Sequence, residues 1–491
     1  MKKAALFLPS VAFTPPLELS ICHARRLIAE GYEITTFEFG KHIIRSQFNQ
    51  YGNIIMHIYT LSRQKQFSRF VPTHKKVYFR RSVSNFSFAS VDLNDRNKSA
   101  YLSVMSSLAS RFRVTDFDQL PHTWQIRFPY LIQSYQLIYE NAIRAIQLEN
   151  ISVVGVFNGR FFDSAAIVSA AQAMGIDYFV YDVNRSASQY YFYNTSLHSI
   201  QANQEKALNF YDPKNLNHVN CAHEFFLKRR SGKRTYEKSF TAGQKRGFLP
   251  KEIKNTRIIA VYPSSDDEYR FLVDESIYKC VDQVSELSMF CNELLKADLD
   301  YKICIRLHPN MAQMHPTALQ RYNLLAEYKN VYLANPLDDL DTYALLDAAE
   351  IVVGFCSSII LESAYIEKST LLIGPSLYCG MKLGDEFSSG LKAANFIINK
   401  YEFTVPSKVN SMMWAAYINL YNDPLPSFSI DNGLARVDLL EILPPRIWRI
   451  LSAVVKLYYE IFEYHSSSLT LKQKIRDILR RSKAIMHNKW S

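Results

Sequence analysis

Two short stretches, each an apolar strand running into a polar turn, constrain this chain more than any other feature. In Ile303-Cys304-Ile305-Arg306-Leu307-His308-Pro309-Asn310 an alternating apolar run reads as a buried strand with Arg306 and His308 near its carboxyl end. In Ile351-Val352-Val353-Gly354-Phe355-Cys356-Ser357-Ser358-Ile359-Ile360-Leu361-Glu362 a second strand meets a glycine and two serines before a helical pattern begins. Ser357 or Ser358 is placed to cap that helix, whose first unpaired N–H groups attract an anion. Glu362 lies four residues after Ser358, one turn along on the same face, within reach of a sugar hydroxyl beside a bound phosphate. Taken alone, the serines read as a cap and His-Pro as a turn. In open α/β sheets, however, ligands bind beyond the carboxyl ends of the strands, so two such ends in one domain point to a shared nucleotide site.

The N-terminal half has the same grammar. Lys3 to Leu8 reads as a strand, Ser10 to Pro16 as a Pro-rich turn, Leu17 to Glu30 as an amphipathic helix closed by Gly31, and Glu33 to Phe39 as the next strand. No G-x-G-x-x-G follows the first strand and the chain holds only 15 Gly, which disfavours a dinucleotide oxidoreductase. Ile54 to Tyr59 is a candidate third strand. Residues 62–95 interleave Arg63, Lys65, Arg69, Lys75, Lys76, Arg80 and Arg81 with Phe67, Phe70, Tyr78 and Phe79. A single-stranded nucleic-acid surface, an acceptor-binding insertion and a solvated face all share that composition, and no nucleic-acid partner is expected. Trp124 to Glu149 carries a long helical period. Ile151 to Phe157 is an apolar strand ending in Asn158-Gly159-Arg160, followed by a helix from Asp163 to Met174 and a strand from Asp177 to Tyr181. Asn158 and Arg160 are therefore candidates to line a cleft; the other reading is a turn held by Asn and Gly.

From Phe225 to Asn255 the chain is rich in Lys, Arg, Ser and Gly and lacks a sustained apolar period, which marks a linker before a fresh strand at Arg257 to Tyr262. Ser264 and Ser265 follow that strand and add hydroxyls to the same proposed cleft. The expected organisation is an N-terminal Rossmann-like domain over 1–225, a linker over 226–256, a C-terminal Rossmann-like domain over 257–430 and a helical tail over 431–491. With 491 residues, two substantial cores are affordable, and 48% apolar with 21% charged residues is a globular composition. Lys and Arg outnumber Asp and Glu by 57 to 46, so the net charge of +11 suits an anionic partner. Seven Cys without a C-x-x-C pair read as reduced core thiols, and no run reaches the length of a transmembrane helix, which together suggest a cytoplasmic protein.

The string Arg306-Leu307-His308-Pro309-Asn310, then Asp341 through Gly354, Ser357-Ser358 with Glu362-Ser363-Ala364, and Leu371-Leu372-Ile373-Gly374 resembles the C-terminal half of bacterial surface-polysaccharide glycosyltransferases of GT-B fold. Capsule and lipopolysaccharide transferases, and the related sialyltransferase and glycerophosphotransferase families, carry similar His-Pro and Ser-Ser signatures. The match covers roughly Ile258 to Gly374, with Cys356 standing where those families often carry Gly. The resemblance implies two facing Rossmann-like domains, an acceptor held by the N-terminal one, and donor phosphate contacted by His308, Ser357 and Ser358. It implies a glycosyltransferase using a CMP-, CDP- or UDP-linked sugar and a glycan or lipid-linked acceptor, with a nucleotide-sugar epimerase or a non-enzymatic assembly protein as alternatives.

Such a transfer needs groups to steady the departing phosphate, here Arg306, His308, Ser264, Ser265, Ser357 and Ser358, and a base for the acceptor hydroxyl. Glu18 and Asp163, each just after an N-terminal strand, are the candidate bases. The acidic pair followed by Gly that the resembled sialyltransferases use is absent. Asp-x-Asp occurs at Asp116, Asp298 and Asp339, outside the assembled cluster, and Cys221 and His223 lack further zinc ligands, so no metal or other cofactor is expected. The tail carries an amphipathic stretch at Ile447 to Tyr464 and a basic one at Lys472 to Lys489, which suit an anionic inner membrane face.

Overall fold

The computed structural model describes residues 2–8, 16–39, 61–79, 95–183, 190–231, 241, 243–272, 282–425, 427–431, 434–438, 440–441 and 450. The candidate strand at 54–59, Arg80, Arg81 and the helices expected after Ile447 lie outside the described residues.

Two six-stranded sheets organise the chain. The first contains β1 (Lys2–Phe7), β2 (Tyr32–Phe39), β3 (Lys75–Phe79), β4 (Val153–Phe157), β5 (Asp177–Val183) and β6 (Tyr190–Tyr193), in the order β3-β2-β1-β4-β5-β6, with only β6 antiparallel. The second contains β7 (Ile258–Tyr262), β8 (Lys302–Arg306), β9 (Val331–Ala334), β10 (Ile351–Gly354), β11 (Ser369–Ile373) and β12 (Asp385–Phe387), all parallel, in the order β9-β8-β7-β10-β11-β12. Counted from its own first strand, the second sheet runs 3-2-1-4-5-6, the doubly wound Rossmann order. Two such domains make the GT-B layout that the sequence led us to expect. Parallel strands are covered on both faces, which is why they read as unbroken apolar runs; β7, Ile-Ile-Ala-Val-Tyr, is buried at every position.

On one face of the first sheet lie α1 (Pro16–Ala29) and a helical segment over 61–70; on the other lie α2 (Asp95–Phe112), α3 (His122–Glu149) and α4 (Phe162–Ala173). Residues 62–79, whose composition left three readings open, belong largely to this core. Phe67 and Arg63 are fully buried, and β3 pairs with β2. A buried guanidinium needs a partner, and Arg63 Nη2 donates to Glu18 Oε1 at 2.8 Å with both side chains 0% exposed.

The expected boundary at residue 225 falls inside a helix. After α5 (Ile200–Phe210), α6 (Leu216–Arg230) runs on through it, and Ala207, Ala222, Phe225 and Phe226 pack against residues of α10 (Ile359–Tyr365) and α12 (Lys408–Leu420) in the C-terminal domain. The remaining helices of that domain are α7 (Gln283–Lys296), α8 (Pro316–Asn323), α9 (Thr342–Ala348) and α11 (Gly390–Ile398). Beyond α12 the chain returns to the first domain. Asp423 N donates to Tyr190 O at 3.2 Å and Tyr190 N to Asn422 Oδ1 at 2.9 Å. A small antiparallel sheet, β13 (Phe428–Asp431), β14 (Leu434–Val437) and β15 (Leu440–Glu441), then places Phe428 and Val437 in the cluster around α1.

Removing one partner of a buried pair strands the other charge, so Arg63→Ala should cost about 3–5 kcal/mol of stability. Denaturant titration checks this; a cost typical of an exposed ion pair would show that Glu18 is not buried as described.

Candidate functional site

The sheet order fixes where to look. In the C-terminal domain the connections change direction between β7 and β10, so the crevice opens between the turn after Tyr262 and the turn after Gly354. Cys356, Ser357 and Ser358 sit in the second of these turns, each partly exposed. Neither reading of the serines as a helix cap holds for Ser358, which has helical φ −63° and makes no cap bond through its side chain. Its hydroxyl instead accepts from Arg229 Nη2 at 3.0 Å. Arg229 also pairs with Glu362 Oε1, Nε to oxygen 3.4 Å. Glu362 is 2% exposed, and its second oxygen has no hydrogen-bond partner within bonding distance. Tyr343 lies beside both, its phenol pushed up first by burial and then by the Glu362 charge. A helix of seven residues offers little dipole; the positive charge at this turn comes from the guanidinium.

Sequence reasoning missed Arg229 because it was read as linker. The available signal was the period Val219, Ala222, Phe225, Phe226 followed by Lys228-Arg229-Arg230, an apolar stripe with basic residues in the last helical turn.

His308 lies two residues beyond β8, one strand to the other side of β7, so about 10 Å separates that strand end from that of β10 at ordinary strand spacing. It caps the turn that follows: Nδ1 accepts from Asn310 N at 3.1 Å. That bond requires Nδ1 to be unprotonated, which leaves the ring proton on Nε2 and makes His308 a neutral donor. Arg306 does not face the crevice as a phosphate ligand. It is 3% exposed, and its guanidinium donates to the carbonyls of Leu307 at 3.1 Å and Asn335 at 2.5 Å, holding the turn after β9. Ser264 and Ser265 are likewise engaged inward. Gln283 brackets Ser264, accepting from its N–H at 3.0 Å and donating to its hydroxyl at 3.2 Å, while the Ser265 hydroxyl donates to Asp267 Oδ1 at 2.5 Å.

Those two serines open a loop, 263–272, that touches both domains. Asp267 pairs with Arg113 of the first domain at 2.6 Å and Arg270 with Asp116 at 3.1 Å. Phe271 enters the first domain's core, and Leu272 contacts Ile200, Tyr269 and Cys356. Both carboxyl edges therefore converge on one loop.

On the N-terminal side, Asn158 and Gly159 form a left-handed turn, φ 63° and 77°, in which a Cβ on Gly159 would lie 2.6 Å from Val180. Asn158 Nδ2 donates to Asp182 Oδ2 at 2.6 Å, and Arg160 Nη2 donates to Ser110 Oγ at 2.9 Å, one turn from Arg113. Asp182, at the end of β5, was not singled out from sequence, although it is the last charged residue of an apolar strand. Burial pushes its carboxyl up to about 6 against the pull of Asn158 and Arg160. Asp163, also raised to about 6 by burial, accepts from Ser164 N at 2.8 Å in the first turn of α4. Glu18 is closed off in its ion pair with Arg63, where an acceptor hydroxyl does not reach it, and burial raises its pKa.

The Asp-x-Asp candidates have other work: Asp116 pairs with Arg270, Asp341 caps α9, and Asp298 sits in a left-handed turn at φ 48°. Among the described residues no group of three or more His, Cys, Asp or Glu is arranged to hold a metal ion, and no helix is long and apolar enough to cross a membrane.

No family model matches the chain, and no curated protein matches its sequence. Similar solved structures include the beta Kdo 2,4 transferase KpsC of Thermosulfurimonas dismutans, at 12% identity over 55% of this chain and 79% of that one with a TM-score of 0.37. The beta Kdo 2,7 transferase KpsC of the same organism aligns at 12% identity over 64% and 89% with a TM-score of 0.35. A UDP-GlcNAc 2-epimerase of Methanocaldococcus jannaschii, solved with UDP-GlcNAc and UDP, aligns at 12% identity over 85% and 99% with a TM-score of 0.28. Likenesses this low leave the activity to be argued from the site itself.

One pH effect follows from the shared loop. Burial lifts the Asp266 carboxyl from 3.8 to about 7, with Arg270 opposing. Between those values the folded chain keeps a proton that the unfolded chain has lost, so this group's contribution to stability falls as pH rises through the window. Asp266→Asn should therefore melt higher than wild type at pH 8, with the gap closing toward pH 4; a gap that opens on acidification would contradict the assignment.

Proposed function

We propose that this chain is a glycosyltransferase that moves a sugar from a CMP-, CDP- or UDP-linked donor to a glycan or lipid-linked acceptor in the assembly of bacterial capsule or lipopolysaccharide. The observation that carries the reading is the Arg229–Ser358–Glu362 cluster at the switch point of a 3-2-1-4-5-6 sheet. It offers a guanidinium and hydroxyl donors for phosphate, with the buried Glu362 carboxylate behind them holding Arg229 in place. The phosphate of a nucleotide sugar fits such a donor set. Charge gathers on the departing phosphate during transfer, and Arg229, the Nε2–H of His308 and the hydroxyls of Ser357 and Ser358 are the donors that would receive it. Glu362, buried beside Arg229, would position that guanidinium and not touch the sugar itself. Arg306, Ser264 and Ser265 keep the surrounding turns in place. Asn158 and Arg160 sit on the side where the acceptor would enter. No metal is needed in this scheme, because cations and N–H or O–H donors meet the phosphate directly.

His308→Ala, or Ser357→Ala with Ser358→Ala, should weaken nucleotide binding by about 1.5–3 kcal/mol, the usual loss for a charge-assisted contact. The melting temperature should hold for the serine pair, since Ser358 makes no cap bond, and fall modestly for His308→Ala, which loses the bond to Asn310 N. Calorimetric titration with CMP, CDP and UDP sugars measures the first and thermal unfolding the second; transfer should also survive EDTA. Wild-type affinity in these variants, or a free sugar or epimerised nucleotide sugar as the product, would defeat the reading.

The acceptor class places the enzyme at a membrane surface, and the basic residues Lys472, Lys474, Arg476, Arg480, Arg481, Lys483 and Lys489 supply the attraction, each adding on the order of 1 kcal/mol near anionic lipid. Deleting residues 466–491 should release the protein from anionic liposomes in a salt-sensitive way. Equal binding by the shortened chain would remove the tail from the proposal.

A further inference from the structure

Asp182 is a strand-end carboxylate whose surroundings its own secondary structure does not explain, and unlike Glu38 of β2 it is partly exposed. Asp163 accepts the N–H of Ser164 within its own helix, which is what an acid in a first helical turn ordinarily does. Asp182 instead receives a side chain from another strand. The turn after β4 adopts left-handed φ at both Asn158 and Gly159, and this conformation brings the Asn158 amide to Oδ2 at 2.6 Å while Val183 N donates to Oδ1 at 2.7 Å. Two bonds orient the carboxylate and leave lone pairs on both oxygens. Arg160, whose own N–H reaches back to Asn158 Oδ1 at 3.4 Å, is the charged group that acts on Asp182. Its guanidinium is tied to Ser110, and Arg113 on the next turn reaches the loop whose far end touches Cys356, next to Ser357 and Ser358. A half-buried, oriented carboxylate on the N-terminal edge is thus linked, through Arg160, Ser110 and then Arg113, to the loop that touches the Ser357–Ser358 turn.

We propose that Asp182, oriented by Asn158, is the general base of the transfer, a step that rests on the glycosyltransferase reading given above. The acceptor O–H breaks and its proton moves to a carboxylate oxygen of Asp182. The acceptor oxygen forms a bond to the anomeric carbon of the donor, and the bond from that carbon to the phosphate oxygen breaks, its electron pair leaving with the nucleotide. A carboxyl that titrates at about 6 is ionised at neutral pH and still basic enough to accept the proton.

The test is nucleotide release from the CMP, CDP or UDP sugar that wild type binds, followed against pH with a panel of sugar acceptors, alongside calorimetric binding of the same donor. Wild-type kcat/KM should fall below about pH 6. Asp182→Asn should lose about 10²–10⁴-fold in kcat with donor affinity intact, and the acid limb should vanish. Asn158→Gly keeps the left-handed turn but removes a hydrogen bond that favours the ionised carboxylate, so its acid limb should move to higher pH. That variant reads the same group where Asp182→Asn fails to fold. A loss in Asp182→Asn below about tenfold, outside the range of a general base, overturns the proposal. So does an acid limb unmoved in Asn158→Gly. A wild-type chain that binds donor but transfers to no acceptor overturns the glycosyltransferase reading, and this step with it.

Discussion

Two sheet edges can build one site only when they are held opposite each other, and here that constraint falls on the loop 263–272. Its inner side is a buried polar network, in which Gln283 and the Tyr322 hydroxyl both donate to Asp266. Its outer side forms ion pairs with Arg113 and Asp116 of the other domain. The Asp267 side chain is 0% exposed, so separating it from Arg113 would leave an unpaired buried charge. The loop is thereby committed to one position, and displacements of about 1 Å can cost 10²-fold in a positioned reaction.

Burial separates scaffold from chemistry among the polar strand-end residues. Arg306, Ser264, Ser265 and Glu18 are all below a tenth exposed, and the bonds they make run to neighbouring protein groups. His308, Ser357, Ser358, Arg160 and Asp182 are only partly buried, and they lie where the strands of both sheets deliver them. A carboxylate spent on a neighbouring guanidinium cannot also serve as a base, which is why Glu18 drops out while Asp182 enters.

The strands themselves were legible because parallel strands covered on both faces leave continuous apolar runs, as in Ile258 to Tyr262 and Ile351 to Val353. Helix ends were legible where glycine takes a left-handed φ, as Gly31 does at 88° and Gly175 at 64°. The segment around Arg63 was opaque for the opposite reason: charge and aromatic side chains alternate, and only the distant Glu18 turns that composition into a core. The α6 helix was hidden because its apolar stripe, Ala222, Phe225 and Phe226, is short and is completed by residues of α12 nearly two hundred positions later. The Ser357–Ser358 turn was correctly singled out as polar, but its partner Arg229 lies 129 residues away, beyond any local pattern.

The crossing segments explain why the proposed donor residues behave as one unit. Lys206 of α5 pairs with Asp423 and lies 4.2 Å from the Tyr193 ring centre, with Phe192 and Tyr421 each at 5.3 Å. Tyr193 OH also bonds Tyr417 of α12 at 2.8 Å. The outgoing and returning chains are thus tied side by side at one place, so the link cannot be loosened at one crossing without disturbing the other. Beyond that tie, Ala222, Phe225 and Phe226 of α6 share one apolar cluster with α10 and α12, and Arg229 is thereby held beside Ser358 and Glu362. The proposed phosphate contacts on α6 and the Ser357–Ser358 turn are thus fixed against each other. What the arrangement of the two domains decides is the approach of the N-terminal edge, with Asp182 on it, and that approach is what the Arg113 and Asp116 pairs hold.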